Sequence, residues 1–168
     1  MATRDRDEGD DIRGAVHSHL TAAQSQLLQA LRLYEAGKDY YSVITLAGAA
    51  EEIFGRLSRK MGGGSALDRL KATLPKLSER FLQQEMGTGE ASRAVNRAKN
   101  WLKHGERPCK FYAKFEAEDM LERAIENWFR IPTSIQDESP DELTSTLAAA
   151  ISRYDERRFA SRYADKET

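Results

Sequence analysis

Apolar residues along this chain recur at the spacing of an α-helix nearly from end to end. Two long runs predict one helix over about 12–36 and a second over about 40–61. Gly37 ends the first of these helices, and the short connection Lys38-Asp39 makes the two antiparallel neighbours. Later runs predict a helix that starts after Ser65 and others over about 90–104, 116–130 and 139–163. The pattern therefore predicts an all-α protein.

Capping residues and prolines indicate where the later helices begin and end. Ser65 suits the N-cap of the third helix, and Pro75 is expected to break or kink that helix near Leu74. Thr88 is the expected N-cap of the fourth helix, and Ser139-Pro140-Asp141-Glu142 is a strong start for the last. The residues predicted to face inward on the third, fourth and fifth helices are Leu67, Leu70, Leu74, Leu77 and Phe81; Ala91, Ala94, Val95, Ala98, Trp101 and Leu102; and Met120, Leu121, Ala124, Ile125, Trp128 and Phe129.

The length and composition fit a single domain with tails. A chain of 168 residues with 40% hydrophobic content is long enough for one core. We predict an antiparallel up-and-down helical bundle with an additional C-terminal helix. Its parts are a disordered charged tail (1–11), the bundle (12–131), a linker (132–138), the C-terminal helix (139–163) and a short tail (164–168).

Charge and cysteine content narrow the setting in which the protein works. The 26 Lys and Arg nearly balance the 27 Asp and Glu, so no global field favours nucleic acid or a membrane surface. Cys109 is the only cysteine, which excludes an internal disulfide, and a packing role is predicted for it. The polar start of the chain lacks the apolar segment of a signal peptide, and no run is long enough to span a membrane. We therefore expect a cytoplasmic protein.

The predicted second helix carries two apolar stripes. One is an ordinary core stripe of Val43, Leu46, Ala50, Ile53, Phe54 and Leu57. The other places small residues around a carboxylate and consists of Ile44, Ala47, Gly48, Glu51 and Gly55. Small residues allow another helix to approach closely, and a glutamate at such a contact needs a partner. Glu51 is therefore expected to pair with a cation or with the histidine at 104, unless Glu51 and Glu52 are both exposed.

The segment from Asn96 to Gly105 holds the candidate chemistry. On a helix, Asn100 and His104 share one face, with Arg97 one turn earlier and Lys99 at the edge. A histidine can transfer a proton near neutral pH, and the two cations can stabilise charge on a phosphate. The amide can orient the histidine or the ligand. This combination suits phosphodiester chemistry without a metal ion.

Other features of the same segment and of the remaining chain have simpler explanations. His104 and Gly105 also suit a helix C-terminus. There the histidine lies near the last carbonyls, where it is favourable for the helix dipole, and Gly105 is the residue that caps the helix. His17 and His19 are expected to face solvent, and neither a metal nor a cofactor is predicted. Four arginines of the last helix could contact phosphate, although a solvated face or a docking surface is the better interpretation: Arg153, Arg157, Arg158 and Arg162.

Two segments in this order, Tyr34 to Ile53 and Asn96 to Gly105, resemble the HEPN domain superfamily, and the resemblance covers roughly 12–131. It implies a helical bundle that is commonly a dimer, and many members are metal-independent ribonucleases, toxins of toxin-antitoxin pairs among them. The family motif is an arginine, a polar residue directly after it and a histidine a few residues later. His104 matches the histidine. Asn100 matches the polar residue if Lys99 fills the arginine position, whereas Arg97 in that position leaves Ala98 in the polar one.

The resemblance implies RNA cleavage by attack of the 2′-hydroxyl on the adjacent phosphate. His104 would act as base or acid, Lys99 or Arg97 would stabilise the phosphorane and Asn100 would orient it, with Glu51 in support. We therefore expect an RNA endonuclease or RNA-binding component of a toxin-antitoxin or defence system, with RNA, an antitoxin and a second copy as partners. The alternative is a non-catalytic helical module for dimerisation or protein interaction, because lysine lacks the planar fork of arginine.

Overall fold

The computed structural model describes residues 7–105, 110–132, 135 and 142–164, and the side chains within 19–105, 110–132, 135 and 142–160. Several predictions lie outside these residues: those for residues 1–6, the side chains of His17 and Arg162, Cys109, most of the linker, the Ser139-Pro140 start and residues 165–168. Within the described residues the chain is helical and holds no strand, so the all-α prediction is confirmed.

The described residues form seven α-helices and one π-helical turn. They are α1 (Asp7–Glu35), α2 (Tyr40–Lys60), α3 (Ala66–Leu77), a π-helical turn (Ser78–Leu82), α4 (Thr88–Val95), α5 (Arg97–His104), α6 (Ala113–Phe129) and α7 (Glu142–Ala164). Gly37, at a φ of 67°, terminates α1 as predicted, because a residue without Cβ adopts this left-handed conformation without strain.

The four long helices form two parallel pairs. Glu51 of α2 lies beside Arg123 of α6, and Gly55 lies beside Asn127, so α2 and α6 run in the same direction. This differs from the strictly alternating order expected from the sequence. The difference arises because α3, α4 and α5 together form one return from the end of α2 to the start of α6.

The C-terminal helix α7 belongs to the core. It runs alongside α1 in the same direction, with a hydrogen bond from Gln24 to Thr144 (2.8 Å) and a ring contact between Tyr34 and Tyr154 (5.4 Å between centroids). Four of its side chains are buried in the same apolar cluster as those of α1, α2 and α6: Leu147, Ala150, Ile151 and Tyr154. Two of its arginines pair with acids of this chain, Arg153 with Glu35 and Arg158 with Glu122.

Several helix ends differ from those predicted. The first helix begins at Asp7 and includes part of the segment predicted to be a disordered tail; acidic residues in a first turn favour helix formation. The helix α3 continues past Pro75 to Leu77, because Pro75 removes only one donor and the affected turn lies at the surface. The N-cap of α4 is Gly87, and the Thr88 hydroxyl makes no cap hydrogen bond.

Some residues predicted to face inward are exposed. They are Leu77, Phe81, Ala94 and Phe129. Periodicity assigns all four to an apolar face. The helices α3 and α4 pack mainly on each other, and they reach the long helices chiefly at the start of α3 and through α6. Apolar residues at the end of α3, in the π-helical turn and on α4 therefore extend beyond the surface that could cover them, whereas Phe129 is the last residue of α6. None of the described helices has both the length and the apolar composition required to cross a membrane.

Candidate functional site: the cleft between α2 and α5

A break at Asn96 separates two helices that the sequence predicts as one helix over about 90–104. Asn96 is buried, its side-chain carbonyl accepts a hydrogen bond from Arg123 (3.0 Å), and its amide donates to the carbonyl of Ser92 (3.1 Å). The guanidinium of Arg123 also donates to the carbonyl of Val95 (3.1 Å). A buried cation on α6 thus binds the chain at the break, and α5 becomes a short helix of its own.

The small residues of α2 allow close approach, as predicted. A Cβ at Gly48 would lie 2.6 Å from Cδ of Lys99, so the glycine leaves room for that side chain. A Cβ at Gly55 would lie 3.1 Å from Cβ of Ser65, at the start of α3. Both glycines therefore leave room for neighbouring side chains, and Gly48 does so for Lys99 of the candidate site.

Glu51 is buried and paired with two cations. One carboxylate oxygen lies 3.4 Å from Nζ of Lys99, and the other lies 3.3 Å from the guanidinium of Arg123. Of the alternatives left open by the sequence, pairing with a cation is correct and exposure of Glu51 is wrong, whereas Glu52 is exposed. A buried carboxylate requires such partners, because an unpaired charge in the interior is costly.

A polar network connects Glu51 to the rest of the fold. Asn127 of α6 donates a hydrogen bond to the backbone carbonyl of Glu51 (3.0 Å) and accepts one from the amide of Ala66 (2.7 Å). Asp119 lies 3.6 Å from Arg123, and burial raises the pKa of Asp119 even though Arg123 lowers it. Of the two carboxylates paired with Arg123, that of Glu51 is therefore the nearer. Lys99 lies at the edge of the network and keeps 18% of its side chain exposed.

Beside this network lies an open cleft of about 370 Å³. Its lining includes three of the predicted site residues, Lys99, Asn100 and His104, all from α5. The remaining lining residues are Thr45, Gly48, Ala49, Glu52, Asn96, Leu102 and Lys103. A proton-transfer group, an amide and a cation therefore face one space, with a carboxylate of α2 on the opposite wall.

Arg97 does not share that space. Its guanidinium lies 3.2 Å from the carboxylate of Glu116, and it is not part of the cleft lining. The predicted strip through Arg97, Asn100 and His104 is thus incomplete. Of the two cations considered for the phosphate position, only Lys99 lines the cleft.

The simpler explanation of this segment as a helix end is also correct for Gly105. Its φ is 63°, and its amide donates to the carbonyl of Trp101 (2.8 Å), which closes α5. Capping does not use the imidazole of His104, which is exposed and lines the cleft. The two interpretations are therefore compatible.

The site predicted from the sequence does not include Arg123, Thr45 or Lys103, and Glu52 is predicted only as a residue that is exposed in one alternative. A signal for Arg123 was present, because it falls on the buried side of α6, next to Met120 and Ala124, where a charged residue requires a counterion. Glu51 is the only other charged residue predicted to be buried, so the sequence offers Arg123 as its counterion.

Metal binding has no candidate among the described residues, where no three His, Cys, Asp or Glu side chains come together. His19 is exposed, as predicted. Comparisons with protein-family models, with curated proteins and with solved structures find no match to this chain.

Proposed function

We propose that this protein binds RNA and cleaves it without a metal ion, with the cleft between α2 and α5 as the active site. The observation that carries the proposal is the convergence of Lys99, Asn100 and His104 on one cleft wall. An imidazole transfers protons at neutral pH, an ammonium group stabilises charge on phosphate, and an amide positions either of them.

In the proposed reaction the 2′-hydroxyl loses its proton and attacks the adjacent phosphorus. The bond to the 5′-oxygen of the next nucleotide then breaks, and that oxygen takes up a proton. The products are a 2′,3′-cyclic phosphate and a free 5′-hydroxyl. His104 acts in one of the two proton transfers, and Lys99 faces the phosphorane. A second copy of the chain would supply a second imidazole for the other transfer, which is why a homodimer is part of the proposal.

The resemblance of Tyr34 to Ile53 and of Asn96 to Gly105 to HEPN domains supports this function, since many members of that superfamily are metal-independent ribonucleases. The same resemblance makes a toxin or a defence component the proposed biological setting, with an antitoxin as a protein partner. Lys99 fills the position of the motif arginine in this interpretation.

A second candidate is a non-catalytic helical module that binds another protein. The observation that favours it is the pairing of Lys99 with the buried Glu51, which commits part of its charge to the fold. Lysine also lacks the bidentate geometry with which arginine holds a phosphate. In this case the cleft would be a remnant of an ancestral active site.

Cleavage of a mixed-sequence single-stranded RNA in EDTA distinguishes the two candidates. The wild type and a His19→Ala control, which removes an exposed histidine of α1, should cut. His104→Ala should be slower by about 100-fold or more, the usual contribution of an acid or base. If the wild type fails to cut across neutral pH at high protein concentration, the non-catalytic candidate stands.

A further inference from the structure

Aromatic side chains cluster where α2 and α6 begin and α5 ends. The ring of Phe111 contacts Trp101 (5.6 Å between centroids) and Tyr41 (6.2 Å), both edge to face. Tyr112 and Phe115 follow in the chain and are 86% and 68% exposed. We refer to these five residues as the aromatic surface.

Two members of the aromatic surface are near neighbours, along their helices, of residues that line the cleft. Trp101 stands between Asn100 and Leu102, which both line the cleft. On α2, the Thr45 hydroxyl donates a hydrogen bond to the carbonyl of Tyr41 (3.0 Å), and Thr45 lines the cleft as well. A ligand longer than the cleft would therefore pass close to Trp101 and Tyr41.

Cations accompany these rings. Lys103 lines the cleft, and Lys110 directly precedes Phe111 in the chain. Among the described residues, the lysines that form ion pairs are Lys99 and Lys114, so neither Lys103 nor Lys110 has one. Positive charge is thus available beside the rings for a polyanion.

We infer that the aromatic surface binds the bases of single-stranded RNA, so that the strand enters the cleft with its phosphates against the lysines. The inference rests on the proposed function, since it takes RNA as the ligand of the cleft. Exposed rings beside cations match what a single strand offers, because each nucleotide presents one flat base and one negative charge. In a duplex the base faces are already stacked, so the surface selects single strands.

Tyr112 and Phe115 provide the test, because their exposure makes a loss of folding on substitution small. The probe is a fluorescent single-stranded 2′-O-methyl oligoribonucleotide, which binds but lacks the hydroxyl needed for cleavage, and the readout is fluorescence anisotropy. The variants are Phe115→Ser alone and a double variant that carries both Tyr112→Ser and Phe115→Ser. The matched control is Phe81→Ser, which removes a 71% exposed ring from the π-helical turn.

The double substitution should raise the Kd about tenfold or more, as expected for the loss of a stacked base, while Phe81→Ser should change it less than about twofold. A duplex of the same length should bind more weakly and respond little to the double substitution. An unchanged Kd in the double variant, or an equal loss for the duplex, would overturn the inference. So would a loss of self-association in the double variant, because the surface would then be a contact between copies of the chain.

The outcome is separable from that of the proposed function. If the wild type binds the probe through these rings but cuts no unmodified RNA, the binding surface stands and the nuclease does not. If the wild type cuts RNA and the double variant binds and cuts equally well, the nuclease stands and the aromatic surface does not.

Discussion

Glu51 is a buried carboxylate that two cations share, and its loss should destabilise the whole fold. Glu51→Gln leaves the guanidinium of Arg123 buried without its closest counterion, which should cost about 3 kcal/mol of unfolding free energy. Urea denaturation measures this change. Glu52→Gln is the control, since Glu52 is exposed, and should stay within about 0.5 kcal/mol of the wild type. Equal effects of the two substitutions would contradict the buried pairing.

Lys99 and Arg97 offer a second test at the scale of single residues. Lys99→Met removes the cation of the cleft and should reduce the rate of RNA cleavage about tenfold or more, whereas Arg97→Met should have little effect because Arg97 pairs with Glu116 outside the cleft. Lys99→Arg should retain or increase the rate, since arginine offers two donors to a phosphate. Initial rates with a defined RNA measure all three. A larger effect of Arg97→Met than of Lys99→Met would mean that the wrong cation has been assigned.

At this scale the sequence predicts a cation or His104 as the partner of Glu51 but identifies neither Lys99 nor Arg123 as that cation. Helical spacing and the small residues around Glu51 indicate that another element approaches there. They do not indicate that Arg123, far along the chain, reaches the same carboxylate. Such long-range pairing depends on how α6 packs beside α2, which no local pattern records.

The break between α4 and α5 shows how tertiary contacts change an element. The apolar period continues through Asn96, so the sequence predicts one helix. In the structure Arg123 binds the carbonyl of Val95 and the side chain of Asn96, and two short helices result. Lys99, Asn100 and His104 therefore lie on a short helix of their own.

The start of α3 gives a prediction for pH. The Ser65 hydroxyl accepts a hydrogen bond from the amide of Asp68 (3.2 Å), and the carboxylate accepts one from the amide of Ser65 (2.9 Å). Burial raises the pKa of Asp68, but these bonds and the charge of Arg59 outweigh it and leave the pKa below its usual value. The ionised carboxylate therefore stabilises the fold above the unfolded-state pKa of about 4, and this contribution is lost as the pH falls through the folded-state pKa.

Asp68→Asn should accordingly destabilise the protein at neutral pH, by at most about 1 kcal/mol because the pair with Arg59 is largely solvated. The difference from the wild type should close as the pH falls below the folded-state pKa of Asp68, which lies below its usual value. Asp155 is the control of opposite sign, since burial raises its pKa and its ionised form therefore opposes folding at neutral pH. Thermal unfolding over a pH series measures both. If Asp68→Asn is most destabilising in acid, the capping interaction is misassigned.

The four long helices share one apolar core, and the last helix, α7, contributes to it. Leu147 of α7 is fully buried against the other long helices, so Leu147→Ala should cost about 2–5 kcal/mol of unfolding free energy in one cooperative transition. Leu82→Ala, in the exposed π-helical turn, should have little effect. A separate early transition in Leu147→Ala would show that α7 folds independently of the bundle.

At this scale the sequence predicts the helices better than their arrangement. The core stripe of α2 packs as expected, and Gly37 and Ser65 mark helix ends where they were predicted. The parallel course of α2 and α6 is not predicted, because periodicity assigns each helix a buried face and leaves its direction open. Periodicity also predicts an inward face for α3 and α4, but it does not show whether another element covers that face. These two faces are therefore less buried than predicted.

A single-stranded oligonucleotide with one ribonucleotide among deoxynucleotides, incubated with the protein in EDTA, tests the proposed nuclease at its reacting group. Attack by the 2′-hydroxyl should give a single cut directly after the ribonucleotide, a 2′,3′-cyclic phosphate at the new end by mass spectrometry, and cleavage about 100-fold slower or more with His104→Ala. An intact substrate, a cut between deoxynucleotides, or equal cleavage by His104→Ala would contradict it.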